Sequence, residues 1–171
     1  MNYHFRKAEL SEIASIWEIL QEAILRRKED GSTQWQDGYP NPDVVQKDIE
    51  KGEGFVLVDG ETIVGYSAVL INDEPAYEKI EGNWLTNDDF VVLHRVAISE
   101  KYLGKGFAKM ILKHIEDFAL SNNIYSIKAD TNFDNIAMMN IFKNSGYTYC
   151  GEVFFRGSSR KAYEKVLAKQ D

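Results

Sequence analysis

Hydrophobic and polar residues alternate along the chain in short runs that predict an alternation of strands and helices. Residues 3–7 are typical of a short strand. Apolar residues then recur at helical spacing, which predicts an amphipathic helix over about 11–28 with Ser11 as its cap. Pro42 favours the start of a second short helix, which we expect to end near Gly52.

The middle of the chain carries the clearest strand signals. Two runs rich in β-branched residues within 55–71 surround Asp59 and Gly60, a pair that favours a β-hairpin. Residues 72–89 are polar and irregular, whereas 90–98 predicts a central strand. The rest predicts a helix over about 104–120, a strand over 124–131, a helix over 135–147 and a strand pair, 147–155 and 160–167, around Gly157 and Ser158.

The order of these elements predicts the fold class. Strands before and after the central helix indicate an α/β (α+β) protein whose mixed, largely antiparallel central sheet is flanked by about four helices. A chain of 171 residues has the length of one domain, so we expect a single domain over 1–171.

Composition and charge narrow the function classes. With 44% hydrophobic and 27% charged residues, the chain is globular rather than disordered. A net charge of −7 argues against nucleic-acid binding, which depends on basic surface. Cys150 is the one cysteine and permits no internal disulfide, and no signal-peptide core or long apolar run is present. We therefore expect a cytoplasmic protein that does not bind membranes.

The stretch from Val91 to Ala108 holds the most informative motif. An apolar strand leads into Gly104, Lys105 and Gly106, which open a helix. Glycines let backbone N–H groups converge on a ligand, and the helix adds its positive end, so this turn predicts a site for a phosphate group. The third glycine of a dinucleotide-binding fingerprint is missing, and Phe107 stands where a nucleotide triphosphate loop has lysine.

The turn resembles the coenzyme loop of the GNAT superfamily of N-acetyltransferases. The superfamily pattern Q/R-x-x-G-x-G/A aligns with Leu103 to Ala108, and Leu103 departs from its first position. A second segment, from Asn135 to Tyr147, is similar to the superfamily's N-x-x-A-x-x-x-Y-x-x-x-G-[FY] pattern, with Phe142 where tyrosine is common. The resemblance is specific over about 91–151.

The resemblance implies a cosubstrate, acetyl-CoA, and no metal. It implies that two central strands, about 90–98 and 125–130, splay apart and that backbone groups near Ile98 pair with the pantetheine arm. A backbone N–H of Ile98 would also stabilise the oxyanion formed when an amine attacks the acetyl carbonyl directly in a ternary complex. The implied coenzyme-binding residues are Val96, Ala97, Ile98, Leu103, Gly104, Lys105, Gly106, Phe107, Ala108, Asn135 and Phe142.

Direct attack needs a group that accepts the amine's proton. His94, four residues before Ile98, is a candidate base because histidine titrates near neutral pH, although packing or substrate contact are alternatives. Asp130 is a second candidate, with loop bracing or helix capping as its alternative. Phe142 cannot donate a proton, so the acid that would protonate the leaving thiolate is unassigned, and core packing explains Phe142 equally.

The sequence is less specific about the acceptor. Trp35, Tyr39, Tyr77 and Trp84 lie in irregular regions that we expect to border an acceptor site, or else they anchor loops. Carboxylates outnumber lysines between residues 72 and 90, which would attract a cationic amine or form a solvated surface. We expect an amine of a small molecule or peptide as partner. A homodimer is an open alternative, because the edge of the final strand pair could pair with a second copy of the chain.

Three functions therefore compete at the level of sequence. The first is an acyltransferase, a GNAT-family enzyme acting on amino groups. The second is a non-catalytic module on the same fold that binds or senses acyl-CoA, motivated by Phe142 and by the lack of an obvious base. The third is an unrelated protein that uses the glycine turn for another phosphate ligand.

Overall fold

A computed structural model describes residues 2–169. Its four α-helices in that range are α1 (Ile13–Glu29), α2 (Pro42–Glu50), α3 (Phe107–Ser121) and α4 (Ile136–Asn144). Its eight strands are β1 (Tyr3–Lys7), β2 (Gly54–Asp59), β3 (Thr62–Ile71), β4 (Glu81–Gly82), β5 (Val91–Ile98), β6 (Ser126–Asn132), β7 (Thr148–Phe155) and β8 (Ser158–Val166). Short 3-10 turns occupy Leu10–Glu12, Pro75–Lys79 and Glu100–Tyr102.

The chain divides into two compact units. Unit 1 comprises the residues up to Val69 together with Arg95–Ile111, and unit 2 comprises Leu70–His94 together with the residues from Leu112 onwards. The boundaries fall inside β3, β5 and α3, and each of these elements contributes residues to both units. The expectation of a single domain over 1–171 stays a prediction.

Unit 1 is built on strands in the order β1-β2-β3-β5. β1 and β2 pair antiparallel with Phe5 opposite Leu57, and β2 pairs antiparallel with β3. The apolar stripe of α1 supplies Ile16 and Leu20, both fully buried, to a core that also contains Val56. Helical spacing of these residues explains why this segment folds as an amphipathic helix.

Unit 2 is built on strands in the order β5-β6-β8-β7-β4. β5 and β6 are parallel, whereas β6–β8, β8–β7 and β7–β4 are antiparallel. Gly82 and Gly151 face each other at φ values of 139° and 140°, and a Cβ on either would lie 2.2 Å from a backbone oxygen of the other strand. Only glycine permits this close approach.

The predicted fold class is confirmed: the chain is a mixed α/β protein with a largely antiparallel eight-stranded sheet and four helices among the described residues. The expected splay is visible in the pairing of β5 with β6. Among residues 2–169 the two strands pair only at Val91 with Ile127 and at Val92 with Lys128, although β5 has eight residues and β6 seven. β5 therefore leaves β6 soon after it begins.

Three local predictions need correction. Ser11 does not cap α1, because it lies within the preceding 3-10 turn and Glu12 occupies the N-cap position. α3 begins at Phe107 rather than near Gly104, since Gly104 and Gly106 have φ values of 73° and 82° that no helix contains. The segment 72–89 is not wholly irregular, because it contains the Pro75–Lys79 turn and β4.

No helix within residues 2–169 combines the length and the apolar character that crossing a membrane requires.

Candidate active site

The glycine turn before α3 belongs to unit 1 and is open to solvent. Residues 103–106 are exposed, and a Cβ on Gly104 or Gly106 would meet no atom within 4 Å. The glycines are therefore required by their positive φ rather than by crowding. Because the first N–H groups of an α-helix lack intrahelical acceptors, the start of α3 presents unpaired donors beside this open turn, an arrangement that fits a phosphate ligand.

Two side chains of the loop behave differently. Lys105 is exposed, so its ammonium group is accessible to a phosphate ligand that binds from solvent. Phe107 points into unit 1, where it is 7% exposed and makes T-shaped contacts with the Tyr3 and Tyr102 rings at centroid distances of 5.1 and 5.5 Å. Phe107 thus anchors the start of α3, and only its backbone is left to serve a ligand. Ala108 is half-buried.

The end of β5, also in unit 1, is tightly packed. Val96 is half-buried, and Ala97 and Ile98 are buried. A Cβ on Gly65 would lie 3.0 Å from the Ala97 carbonyl oxygen, so this strand approaches β3 closely. The Ile98 carbonyl accepts a hydrogen bond of 3.3 Å from Arg26 Nη2, a contact that the sequence did not predict. Burial lowers the pKa of Arg26.

The second segment that resembles the GNAT pattern, Asn135 to Tyr147, lies in unit 2. Asn135 is the N-cap of α4, and its Oδ1 accepts the Met138 N–H at 3.1 Å. Phe142 is fully buried and packs against the Tyr147 and Tyr163 rings, each at a centroid distance of 5.1 Å. The side chain of Phe142 is therefore a core side chain, and its predicted part in coenzyme binding stays a prediction.

His94 and Asp130, the two candidate bases, lie together in unit 2. His94 Nε2 is 2.8 Å from Glu74 Oε2, and His94 Nδ1 is 3.8 Å from Asp130 Oδ2. The exposed fractions of these side chains are 15% for His94, 14% for Glu74 and 5% for Asp130. The histidine that looked isolated in the sequence thus has a carboxylate facing each ring nitrogen.

Tyr77 braces this cluster. Its hydroxyl donates a hydrogen bond of 2.6 Å to Asp130 Oδ2, and its carbonyl accepts one of 2.9 Å from Trp84 Nε1. Burial, with the Asp130 charge second, raises the pKa of Tyr77 well above its usual range. Tyr77 is 2% exposed, so its ring fixes the 75–79 turn. Asp130 thus accepts a hydrogen bond from the 75–79 turn and also lies beside His94, and its role as a base or as a loop brace stays a prediction.

Arg160 and Phe155 complete the surroundings of Asp130. Arg160 Nη1 lies 3.9 Å from Asp130 Oδ1, and the guanidinium carbon is 5.8 Å from the centre of the Phe155 ring. The same Phe155 ring meets His94 at 6.2 Å in an edge-on arrangement. Neither residue was predicted from the sequence as part of a site. The signal that could have found Arg160 is its charge, because it stands at the start of the last predicted strand, 160–167.

A second charged cluster, in unit 1, was also missed. Arg95 has a φ of 56° within β5 and binds Asp48 through two hydrogen bonds, Nε to Oδ2 at 3.0 Å and Nη2 to Oδ1 at 2.6 Å. Its Nη1 donates to the Tyr39 hydroxyl, and Asp48 also accepts from Tyr66. A bidentate pair holds the strand in a conformation that is uncommon for arginine.

The four aromatic residues predicted to border the acceptor are divided between the units. Trp35 and Tyr39 belong to unit 1, where Trp35 is 9% exposed within the core and Tyr39 is half-buried against Arg95. Tyr77 and Trp84 belong to unit 2, where their rings meet at 5.1 Å. The loop-anchor alternative describes Trp35 and Tyr77, while acceptor contact by any of the four stays a prediction.

No group of three or more histidine, cysteine, aspartate or glutamate side chains within residues 2–169 is arranged to hold a metal ion.

Comparison with known proteins identifies acetyltransferases as similar in sequence to this chain. The sequence profile of the acetyltransferase (GNAT) family matches residues 15–147. The streptothricin acetyltransferase of Escherichia coli is 28% identical over 88 residues, which are 52% of this chain and 50% of that protein. YesJ of Bacillus subtilis (strain 168), an uncharacterized N-acetyltransferase, is 24% identical over 124 residues, 71% of this chain and 68% of that protein. The streptothricin match thus spans half of that relative's length.

Solved structures extend the match over the whole fold. A GNAT-family acetyltransferase from Streptococcus agalactiae 2603 superposes with a TM-score of 0.89 at 33% identity, covering 98% of this chain and 96% of that one. YncA from Salmonella typhimurium, whose structure contains acetyl-CoA, superposes with a TM-score of 0.68 at 19% identity and covers 100% and 97% of the two chains. The fold is that of an acetyltransferase. The chain belongs to the GNAT family.

Proposed function

We propose that the protein transfers the acetyl group of acetyl-CoA to a primary amine of a small molecule or peptide, and that His94 accepts the proton of that amine. The observation that carries this proposal is the position of His94 between two carboxylates, Glu74 at 2.8 Å and Asp130 at 3.8 Å. A base oriented by a hydrogen-bonded carboxylate is the arrangement that general-base catalysis uses.

The proposal gives each ring nitrogen a role. A neutral His94 that donates its Nε2–H to Glu74 carries its lone pair on Nδ1, which is therefore the atom that takes the amine's proton. The imidazolium that results would have a carboxylate on each side. Because these side chains are at least 85% buried, the attraction is screened less than at a protein surface.

The residues around the glycine turn fit the cosubstrate. Backbone N–H groups of residues 103–108 are proposed to hold the diphosphate, with Lys105 adding a positive charge from the exposed side of the turn. The backbone of Val96, Ala97 and Ile98 is proposed to align the pantetheine arm. When bound, acetyl-CoA supplies an activated acetyl thioester, and the role of the protein is to orient the amine and to accept its proton.

The position of His94 between Glu74 and Asp130 also favours a catalytic function over a non-catalytic sensing module. That alternative depended on Phe142 and on the lack of an oriented base. Phe142 is fully buried, so packing accounts for a phenylalanine at this position, and the acid that would protonate the leaving thiolate stays unassigned. His94 has the orienting partner that a base requires.

A screen of acceptors tests the proposed function. The protein is incubated with acetyl-CoA and with polyamines, amino acids, aminoglycosides or peptides, and free thiol is measured. We expect thiol release that depends on one class of amine and yields one acetylated product per thiol. Saturable binding of acetyl-CoA in calorimetry with no transfer to any amine class would support the sensing module instead, and preference for ATP over coenzyme A would reject both.

A further inference from the structure

Arg160 is a buried cation whose side chain makes no hydrogen bond to the part of the chain that the structure describes. It is 10% exposed, and its Nε is buried without a hydrogen-bond partner among residues 2–169. Its nearest carboxylate oxygen, Asp130 Oδ1, is 3.9 Å from Nη1, which is too far for a hydrogen bond. A guanidinium carries five N–H donors, and buried donors are almost always paired.

Folding alone does not account for this arginine. The residue lies in the antiparallel part of the sheet, opposite Asn132 of β6 and Val153 of β7, where an apolar side chain would fill the space without burying a charge. Taking a guanidinium out of water is costly unless hydrogen bonds compensate for its lost hydration. The described residues do not provide these hydrogen bonds to Arg160. The geometry therefore points to a ligand as their source.

The position of Arg160 places that ligand near the proposed base. Arg160 and His94 approach the same carboxylate from its two oxygens, Oδ1 and Oδ2 of Asp130. Both also pack against the Phe155 ring, Arg160 over the ring and His94 in a T-shaped arrangement. A group bound by Arg160 is therefore a neighbour of the amine whose proton His94 would take.

We infer that the acceptor is a zwitterion, an amine with a carboxylate close to it, and that Arg160 binds the carboxylate. This inference rests on the proposed function. The ammonium of such an acceptor faces Glu74 and Asp130, and its carboxylate faces the guanidinium, so each charged group of the cluster gains a partner of opposite sign. A planar guanidinium binds a carboxylate through two parallel hydrogen bonds, which also orients the amine.

The charges of the cluster favour a zwitterion over the simple cation that the acidic 72–90 segment suggests. The cluster holds two carboxylates, Glu74 and Asp130, and one guanidinium, Arg160. A simple cation would satisfy the carboxylates but would give Arg160 no acceptor and would add a second positive charge to the cluster. An amino acid, or a peptide whose amine and carboxylate are close, avoids this conflict.

Matched acceptors test the inference. Each amino acid that the screen finds active is compared with its carboxamide, which keeps the amine and removes the negative charge. In the unchanged protein we expect kcat/KM to be roughly 10- to 100-fold higher for the acid, the range of a desolvated charge-assisted hydrogen bond. Equal values for acid and amide would overturn the role of Arg160 while leaving the proposed acetyl transfer intact. A lack of transfer to any amine would overturn the proposed function itself.

Variants separate binding from structure. In Arg160→Gln we expect the acid-over-amide ratio to fall to about one, through a higher KM for the acid. Lys161→Gln, the matched control at the adjacent position of β8, should keep the ratio. If Arg160 served only to hold Asp130, then Arg160→Gln would slow acid and amide equally, and the inference would be wrong. If Arg160→Gln does not fold, as judged by its circular dichroism, Arg160→Lys and the ratio in the unchanged protein decide the question.

Discussion

Glu74 Oε2 lies 2.8 Å from His94 Nε2, although the two residues are 20 positions apart in the chain. The Glu74 side chain also accepts the Ala76 N–H, which fixes the carboxylate at the start of the 75–79 turn. His94 is thus oriented by a residue whose own position is fixed by a backbone hydrogen bond, which is the kind of support that the proposed role as a base would need.

We expect His94→Gln to lower kcat by about 10²- to 10⁴-fold, the usual contribution of a positioned general base. His4→Gln is the matched control, because His4 is an exposed strand residue remote in sequence from the cluster. Steady-state thiol release with the best acceptor measures the effect. A kcat for His94→Gln within a factor of about three of the unchanged protein would assign the proton to another group.

The glycine turn gives a second prediction. Gly106 has a φ of 82°, and a Cβ there meets no atom within 4 Å, so Gly106→Ala introduces backbone strain without a clash. An alanine at this positive φ costs about 1–2 kcal/mol, and the turn can relieve that strain by changing its conformation. Such a change would move the backbone N–H groups that are proposed to bind the diphosphate. We expect a higher KM for acetyl-CoA with a smaller change in kcat.

Gly60 offers the control for that variant. It has a φ of 61° in the β2–β3 hairpin, and a Cβ at this position would also meet no atom within 4 Å. Gly60→Ala carries a similar backbone cost and should leave the KM for acetyl-CoA unchanged. Calorimetric titration with coenzyme A provides an independent measurement, and equal affinities for the two variants would exclude the turn as the diphosphate site.

Two buried tyrosines should respond oppositely to loss of the hydroxyl. The Tyr147 hydroxyl is buried without a hydrogen-bond partner in residues 2–169, so Tyr147→Phe should leave stability unchanged or raise it by about 1 kcal/mol. The Tyr66 hydroxyl donates to Asp48 at 2.5 Å, so Tyr66→Phe should cost about 1–3 kcal/mol. Denaturant unfolding of both variants gives the comparison, and an equal loss in both would contradict it.

Buried tyrosines also predict sensitivity to alkali. Burial is the largest cause that raises the pKa of Tyr66, Tyr77 and Tyr147, with Asp48, Asp130 and Glu116, respectively, as the next cause. Since the folded pKa lies above the unfolded value of about 10, the stability from each neutral tyrosine is complete below that pH and is lost as pH rises beyond it.

Each of these tyrosines should remove about 1.4 kcal/mol of unfolding free energy per pH unit above pH ~10. Unfolding in guanidinium chloride between about pH 8 and 11.5 measures the slope. Tyr147→Phe should make the slope smaller by the contribution of one tyrosine, about 1.4 kcal/mol per pH unit. An unfolding free energy that stays constant across this range would show that the three hydroxyls ionise freely in the folded protein.

Local patterns predicted most of the elements because they depend on neighbours in the chain. β1 has the predicted bounds, and the hairpin turns at Gly60 and Glu61, one residue later than the predicted Asp59 and Gly60 pair. Ser11 failed as a cap because it lies inside the 3-10 turn Leu10–Glu12, in which Glu12 pairs with Arg6 and accepts the Glu9 N–H. An ion pair between a strand residue and a helix turn is a tertiary contact that capping preferences do not include.

The candidate site was predicted in part. The turn at Gly104 and Gly106 and the candidate bases His94 and Asp130 were found from residue type and spacing. Glu74, Arg95 and Arg160 were not found, because their partners are distant in sequence: Arg95 meets Asp48 across 47 positions. A charged residue inside an apolar strand indicates that a partner exists, but only the folded chain identifies it.

The sequence by itself determined the alternation of strands and helices, the glycine turn with its positive φ angles, and the resemblance to an acetyltransferase family, because each of these depends on residues close together in the chain. Tertiary structure alone decided that Phe142 belongs to the core, that His94 has two carboxylates beside it, and that the Arg160 side chain is buried without a hydrogen bond to residues 2–169. Such relationships come from long-range strand pairing, which brings β5, β6 and β8 to the same place from distant parts of the chain.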